Sequence, residues 1–428
     1  MSRSAAASAV RFSAQAKLGR SAAFWFLAAT LALLLFASSA PSPLYIVYQA
    51  RWGFSEITLT SVFAIYALAL LTTLVIAGSV SDHVGRRSVL LLALGIEMVG
   101  MLAFAEARGV AWLFAARALQ GVGTGLAMGA ISAALLDLQP DHSPRLGALL
   151  GVAAPMGGLA VGALGAGLLV EYGPDPTRLV YWLLLGAFAV AGVIATAVPE
   201  TVQRNGPWLH VLRPRIAVPS ALRGAFIASI PCLTATWALG GFVLSLGPSL
   251  TATVLGARSH TVGALAIFIM AGVSTLASIR LRDAHARSTA RGGLVALSLG
   301  VALALFGLSE DSLAVFLAGA AVAGLGFGPA FAGTFRALSN RAPENQKAAL
   351  VSSILAVSYL AFSLPAVAAG AAAGQFGLHA TADVYGAALI VLAGVALALS
   401  RHLQDPQSEH LRRGDSMRAA PAGERVST

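Results

Sequence analysis

Runs of about twenty apolar residues recur along this chain, separated by short segments whose charges are mostly arginine. A bilayer core about 30 Å thick is crossed by roughly 20 helical residues, and a helix satisfies its own backbone where water cannot. On that rule spans are expected near 22–47, 57–78, 88–107, 110–136, 146–170 and 179–198, then near 222–252, 261–279, 292–308, 312–338, 348–373 and 381–399. The expected fold class is an all-α membrane protein with twelve transmembrane helices. Composition agrees: 57% of residues are hydrophobic and 11% charged, where a soluble domain carries about a quarter charged residues. Lipid is the solvent that suits such a surface.

The basic residues fix an orientation. With both termini in the cytoplasm, 23 of the 28 Lys and Arg residues fall inside, and only Arg51, Arg108, Arg178 and Arg258 fall outside. That is the positive-inside asymmetry, and it accounts for the net charge of +10 without nucleic acid. The N-terminal Arg3, Arg11, Lys17 and Arg20, an apolar run and Ala37-Ser38-Ser39-Ala40 resemble a secretory leader. Pro41 directly after the would-be cut opposes cleavage, so an uncleaved first span is expected. The domains read as a cytoplasmic tail at 1–21, a six-helix bundle at 22–198, a cytoplasmic linker at 199–221, a second six-helix bundle at 222–399 and a disordered cytoplasmic tail at 400–428. The expected location is integral to the inner or plasma membrane. One cysteine, Cys232, excludes an internal disulfide and a cysteine-based zinc site. No cofactor or metal is expected.

The two halves repeat. Gly121-Val122-Gly123-Thr124-Gly125 in the fourth span returns as Gly324-Leu325-Gly326-Phe327-Gly328 in the tenth, and Asp82…Arg86 after the second span returns as Asp283…Arg287 after the eighth. Two pseudo-symmetric six-helix bundles are a transporter architecture, with the site at their interface near the midplane. Arg117 is a charge deep inside a span, functional by default and in need of a partner. Counting at about 1.5 Å per residue puts Glu97 of the third span at nearly the same depth. A Glu97–Arg117 pair is expected, either exchanging a proton or serving as a static tie between helices. The glycines of the fifth span, with Pro155, Gly157, Gly158 and Gly162 at its centre, suit close helix packing. Signatures of ATP-driven pumps, zinc proteases and serine hydrolases are absent, so no enzyme is expected.

The stretch Gly78-Ser79-Val80-Ser81-Asp82-His83-Val84-Gly85-Arg86-Arg87 resembles the major facilitator superfamily loop signature G-x-x-x-D-x-x-G-R-[RK]. Arg117-Ala118-Leu119-Gln120-Gly121 resembles that family's R-x-x-Q-G, and Pro199-Glu200-Thr201 its P-E-T. Ser39-Ala40-Pro41-Ser42-Pro43-Leu44-Tyr45 resembles the first-span end of twelve-helix drug/proton antiporters. The fifth span departs from the exporter pattern, because Ala154 precedes the proline and one residue separates it from the glycine pair.

The resemblance implies secondary-active transport by alternating access: proton-coupled efflux of hydrophobic or amphipathic small molecules by a monomer. The alternatives are import of a small nutrient or organic anion, and a sensor or scaffold that does not transport. Gly78, Asp82, Gly85, Arg86 and Arg87 would form a gating loop, with Asp82 against a helix N-terminus, bracing the start of the eleventh span. Glu97 and Arg117 are the coupling candidates. Ser38, Ser39, Gln120, Thr124, Trp237, Phe242, Phe327 and Phe331 would lie on the substrate pathway, though the aromatic row suits ordinary packing equally well.

Overall fold

The computed structural model describes residues 17–78, 80–141, 143, 146–202, 216–257 and 259–400. Most of the expected N-terminal tail, residues 203–215 of the linker, the tail from 401 onward, Ser79, Arg145 and Arg258 lie outside the described residues. The regular structure described is helical: α1 (Arg20–Ser39), α2 (Tyr45–Trp52), α3 (Glu56–Ala77), α4 (Ser81–Val84), α5 (Arg86–Ala105), α6 (Val110–Leu138), α7 (Leu146–Tyr172), α8 (Leu179–Ala195), α9 (Arg223–Thr253), α10 (His260–Arg280), α11 (Ala286–Ser309), α12 (Leu313–Ser339), α13 (Glu344–Phe376) and α14 (Leu378–Leu399). Eleven helices are long and apolar enough to cross a membrane, and α8 is a shorter apolar twelfth. The twelve-helix expectation holds, with α2 and α4 as short additions.

One expected span is corrected. The first does not run unbroken from 22 to 47; α1 stops at Ser39 and α2 restarts at Tyr45. Pro41 and Pro43 have no N–H to give to the carbonyls a turn before them, so the α-helical ladder stops there. Tight turns replace it, with Ser42 N–H donating to Ser39 O at 3.0 Å and Leu44 N–H to Pro41 O at 3.0 Å.

The repeated glycine triplets do the same work in both halves. Gly121 and Gly125 of α6 lie against the α3 backbone at Tyr66 and Leu70, and a Cβ on Gly123 would come within 3.0 Å of Glu97 on α5. In the second half Gly324 and Gly328 of α12 lie against α10 at Met270 and Ser274, while Gly326 meets Gly293 and Leu297 of α11. Alternate glycines thus turn two faces of one helix towards two neighbours. Without a hydrophobic drive between helices in lipid, that backbone proximity is the source of van der Waals attraction.

Two seams join the halves, α7 against α10 and α3 against α13. Helix α7 carries Pro155 within it and presents Gly158 and Gly162 to α1 at Ala32 and Phe36; its Gly167 meets α10 at Ala264. Gly157 faces α10 more loosely, its Cβ position 4.0 Å from Thr275. On the other seam Gly370 of α13 meets Thr60 of α3, and the rings of Phe63 and Phe362 lie 5.1 Å apart.

The repeat yields a direct test. Gly121→Val and Gly324→Val should each destabilise the detergent-purified protein by about 1–3 kcal/mol through overpacking. Gly192→Val on α8, where nothing lies within 4 Å, should be nearly neutral. Thermal unfolding followed by circular dichroism compares the three.

Candidate functional site

The break in α1 leaves carbonyls without helical donors. Pro41 cannot serve Ala37 O, and Ser42 N–H, which would ordinarily reach Ser38 O, turns to Ser39 O instead. Unpaired backbone groups are costly in a membrane interior, and α6 supplies the missing donors. Gln120 Nε2 donates to Ala37 O at 2.8 Å, and Arg117 Nη1 donates to Ser38 O at 2.8 Å. Residues three apart on a helix share a face, so the R-x-x-Q spacing presents both side chains to α1. Gln120 Oε1 in turn accepts from Arg117 Nη1 at 2.6 Å, and Tyr45 Oη at the start of α2 accepts from Arg117 Nε at 2.6 Å.

Arg117 is fully buried. Four rings surround its guanidinium, those of Tyr66, Phe63, Tyr45 and Phe104, with centroids 5.3–5.9 Å away. Cation–π attraction grows when the cation is desolvated, so these rings and three oxygen acceptors together hold the charge.

Glu97 is also fully buried, and its Oε1 accepts from Thr124 Oγ1 at 2.7 Å. Thr124 lies one turn beyond Gln120 on the same face of α6, and Gly123 makes room for the carboxyl. The expected direct Glu97–Arg117 pair is corrected: the two charged side chains have separate partners, Thr124 for one and the α1 break for the other. Glu97 Oε2, Arg117 Nη2, Tyr66 Oη and Ser42 Oγ are buried with no hydrogen-bond partner among the described residues. Of the remaining pathway candidates on α1, Ser39 Oγ donates to Phe36 O at 3.1 Å, next to Gly162.

In the second half, Trp237 of α9 meets Phe331 of α12 at 5.4 Å and Tyr359 and Phe362 of α13 at 4.9 and 5.9 Å. Its indole Nε1 is buried without an acceptor among the described residues. Phe362 also touches Phe63, which flanks Arg117, so an aromatic path leads from one half into the other. Phe327 packs against Gly240 of α9. Phe242 lies elsewhere: it stacks on Tyr385 at 4.4 Å and lines an apolar cavity of ≈ 60 Å³ inside the second bundle, together with Leu239, Met270 and Phe316.

The Asp82 loop is tied to the end of α8. Gly85 has φ +102°, and its backbone opens onto Glu200: a Cβ would lie 2.5 Å from Oε2. Glu200 accepts from the N–H groups of Arg86 at 2.8 Å and Arg87 at 3.2 Å, the first turn of α5. An anion is favoured there by the orphan donors and the helix dipole. The carboxylate on this helix N-terminus is that of Glu200. Asp82 is half exposed and pairs with Arg86 at 3.6 Å, while Arg86 also binds Asp137 at the end of α6. Gly78 ends α3, and the Gly129 backbone of α6 passes close to it. Arg87 donates to Thr196 O at 3.2 Å. The motif residues had marked this loop, but only the folded chain brings Glu200 to it.

The model of the Major Facilitator Superfamily matches residues 25–283. An uncharacterised MFS-type transporter of Mycobacterium tuberculosis is 33% identical over 128 residues, 29% of this chain and 21% of the relative. One from Schizosaccharomyces pombe is 32% identical over 104 residues, 23% of this chain and 18% of the relative. The matched stretches thus span about a fifth of each of these relatives. Among solved structures, the nucleoside transporter NupG superposes with a TM-score of 0.68 at 13% identity, covering 88% of this chain and 99% of NupG; this likeness concerns the fold.

The loop geometry predicts a coupled pair of losses. Glu200→Ala should cost about 1 kcal/mol by uncapping α5, and Gly85→Ala about 1–3 kcal/mol by straining the positive φ and displacing the carboxylate. Because both disturb one contact, the double variant should lose less than the sum of the two. Denaturation of the three purified variants measures it.

Proposed function

Because the chain belongs to the Major Facilitator Superfamily, we propose that it is a secondary-active transporter that exports hydrophobic or amphipathic small molecules in exchange for protons. Alternating access of the two halves around a central site is the mechanism. The protein works as a monomer in the inner or plasma membrane with both termini cytoplasmic, the orientation that agrees with its basic residues.

The observation that supports this substrate class is the aromatic path of Trp237, Phe331, Tyr359, Phe362 and Phe63 where the halves meet. Such a wall offers rings, the Trp237 indole N–H and the Tyr359 hydroxyl, and these five residues bring no carboxylate or cation to grip a sugar or phosphate ester. Proton coupling falls to Glu97. A desolvated carboxyl with one oxygen lacking a donor is a group whose charge state responds when water reaches it. Thr124 ties Glu97, on α5, to the helix that clamps the α1 break, so a change at Glu97 bears on the contact between α5 and α6. Arg117 orients α1 and α2 through Ser38 and Tyr45.

A second reading is import of a small nutrient or organic anion. It draws on the free Arg117 Nη2, which would bind an anion once α1 moved, and on the fold shared with a nucleoside transporter.

Proteoliposomes with an imposed pH gradient and a panel of neutral aromatic dyes, nucleosides and carboxylates test the two readings. Export predicts dye movement against the proton gradient, abolished or reduced at least tenfold in Glu97→Gln, with dye binding retained. Full gradient-driven transport by Glu97→Gln would end the coupling role. Uptake of nucleosides or carboxylates, with no dye movement, would favour import.

A further inference from the structure

On the face away from the Asp82 loop, the α7–α10 seam carries a polar contact between the two halves. Glu171, in the last turn of α7, accepts through Oε2 from the backbone N–H of His260 at 2.7 Å and from the Ser259 hydroxyl at 3.1 Å. His260 Nδ1 lies 3.6 Å from the same oxygen. Ser259 is the N-cap of α10, its hydroxyl also accepting from Val262 N–H at 3.4 Å. A carboxylate from one half therefore closes the N-terminus of a helix in the other, where orphan N–H groups and the dipole favour an anion. One turn deeper, a Cβ on Gly167 would lie 2.8 Å from Ala264 Cβ, so the two backbones approach closely just beneath the contact.

The pseudo-symmetric seam differs. Helix α3 starts with the matching N-cap, Ser55, but its hydroxyl serves only its own helix, meeting Thr58. The α13 end opposite presents Gly370, packed on Thr60 and the Glu56 carbonyl, and no carboxylate. Two related seams thus close the same face, one through an ion on a helix end and the other through backbone packing.

We propose that Glu171 is a positioning residue of the transport cycle: its carboxylate holds the α7–α10 seam shut on this face, and it leaves the α10 N-terminus when that face opens. The inference rests on the alternating-access reading. A packed seam resists separation through many individually small contacts that have no preferred direction. The Glu171 contact is directional and has defined partners, so it distinguishes a closed seam from one displaced by even part of a helical turn. A carboxylate is needed because a neutral amide keeps the acceptor but loses most of the interaction with the helix dipole.

The test uses spin labels on Tyr172→Cys and Thr253→Cys, exposed positions at the ends of α7 and α9, in a Cys232→Ser background. Pulsed electron–electron resonance on the reconstituted full chain reads the ratio of short to long distances. Glu171→Gln should raise the long-distance fraction roughly two- to tenfold, and Ser259→Ala should shift it in the same direction by less. Should Glu171→Gln fail to insert, Ser259→Ala carries the same expectation. Two populations in the parent whose ratio neither variant changes would overturn the clasp alone. A single fixed distance in the parent and every variant, with and without a pH gradient, would overturn alternating access and the clasp with it.

Discussion

A carbonyl inside a bilayer must find a donor within the protein, and much of the first half is arranged around that requirement at one place. Pro41 and Pro43 stop α1 in mid-span, and the carbonyls of Ala37 and Ser38 are taken up by Gln120 and Arg117 of α6. The solution places a cation in the core, which then draws Tyr45 and a ring of aromatic side chains around itself. Thr124 lies further along the same face of α6 and donates to Glu97 of α5. A backbone irregularity, a buried charge and a titratable acid are thereby linked through one helix. Anything that moves α6 relative to α1 must exchange hydrogen bonds to carbonyls that have no other donor among the described residues.

The small residues determine how such motion is divided. Within each half, glycines on α6 and α12 hold neighbouring helices at backbone contact, and sliding there would meet steric opposition immediately. Between halves, α7 touches α10 tightly at Gly167 and more loosely at Gly157. Close packing within bundles and uneven packing between them suits two rigid bodies that pivot along their seams.

Hydropathy located the twelve spans to within a few residues because the membrane imposes the length and apolarity of each helix directly. It missed the α1 break, since Ser38 to Val47 remains apolar on average while the hydrogen-bond ladder fails at two prolines. Equal depth suggested that Glu97 would be the partner of Arg117. Depth cannot say which way a side chain turns, and the carbonyls freed by Pro41 proved the stronger attraction. Glu200 stood in a recognised motif without a role, because its partners at Arg86 and Arg87 lie more than a hundred positions earlier in the chain. The glycine repeat, by contrast, was legible: spacing along a helix translates into faces with no intermediate step. Trp237 and Phe331 were identified singly, whereas their assembly with Tyr359 and Phe362 depends on how α9, α12 and α13 cross.

The Glu200 contact also bears on how the chain is made. Glu200 follows α8, the last helix of the first half, yet it caps α5, and Leu18 just before α1 donates its N–H to Ala197 O at 2.8 Å. The first six spans are thus fastened end to beginning by residues that leave the ribosome after all six. During synthesis the N-terminus of α5 gains this carboxylate only after α8 has been translated, because Glu200 follows all six spans. The Glu200 carboxylate is a closing stitch for the first half as an assembled body.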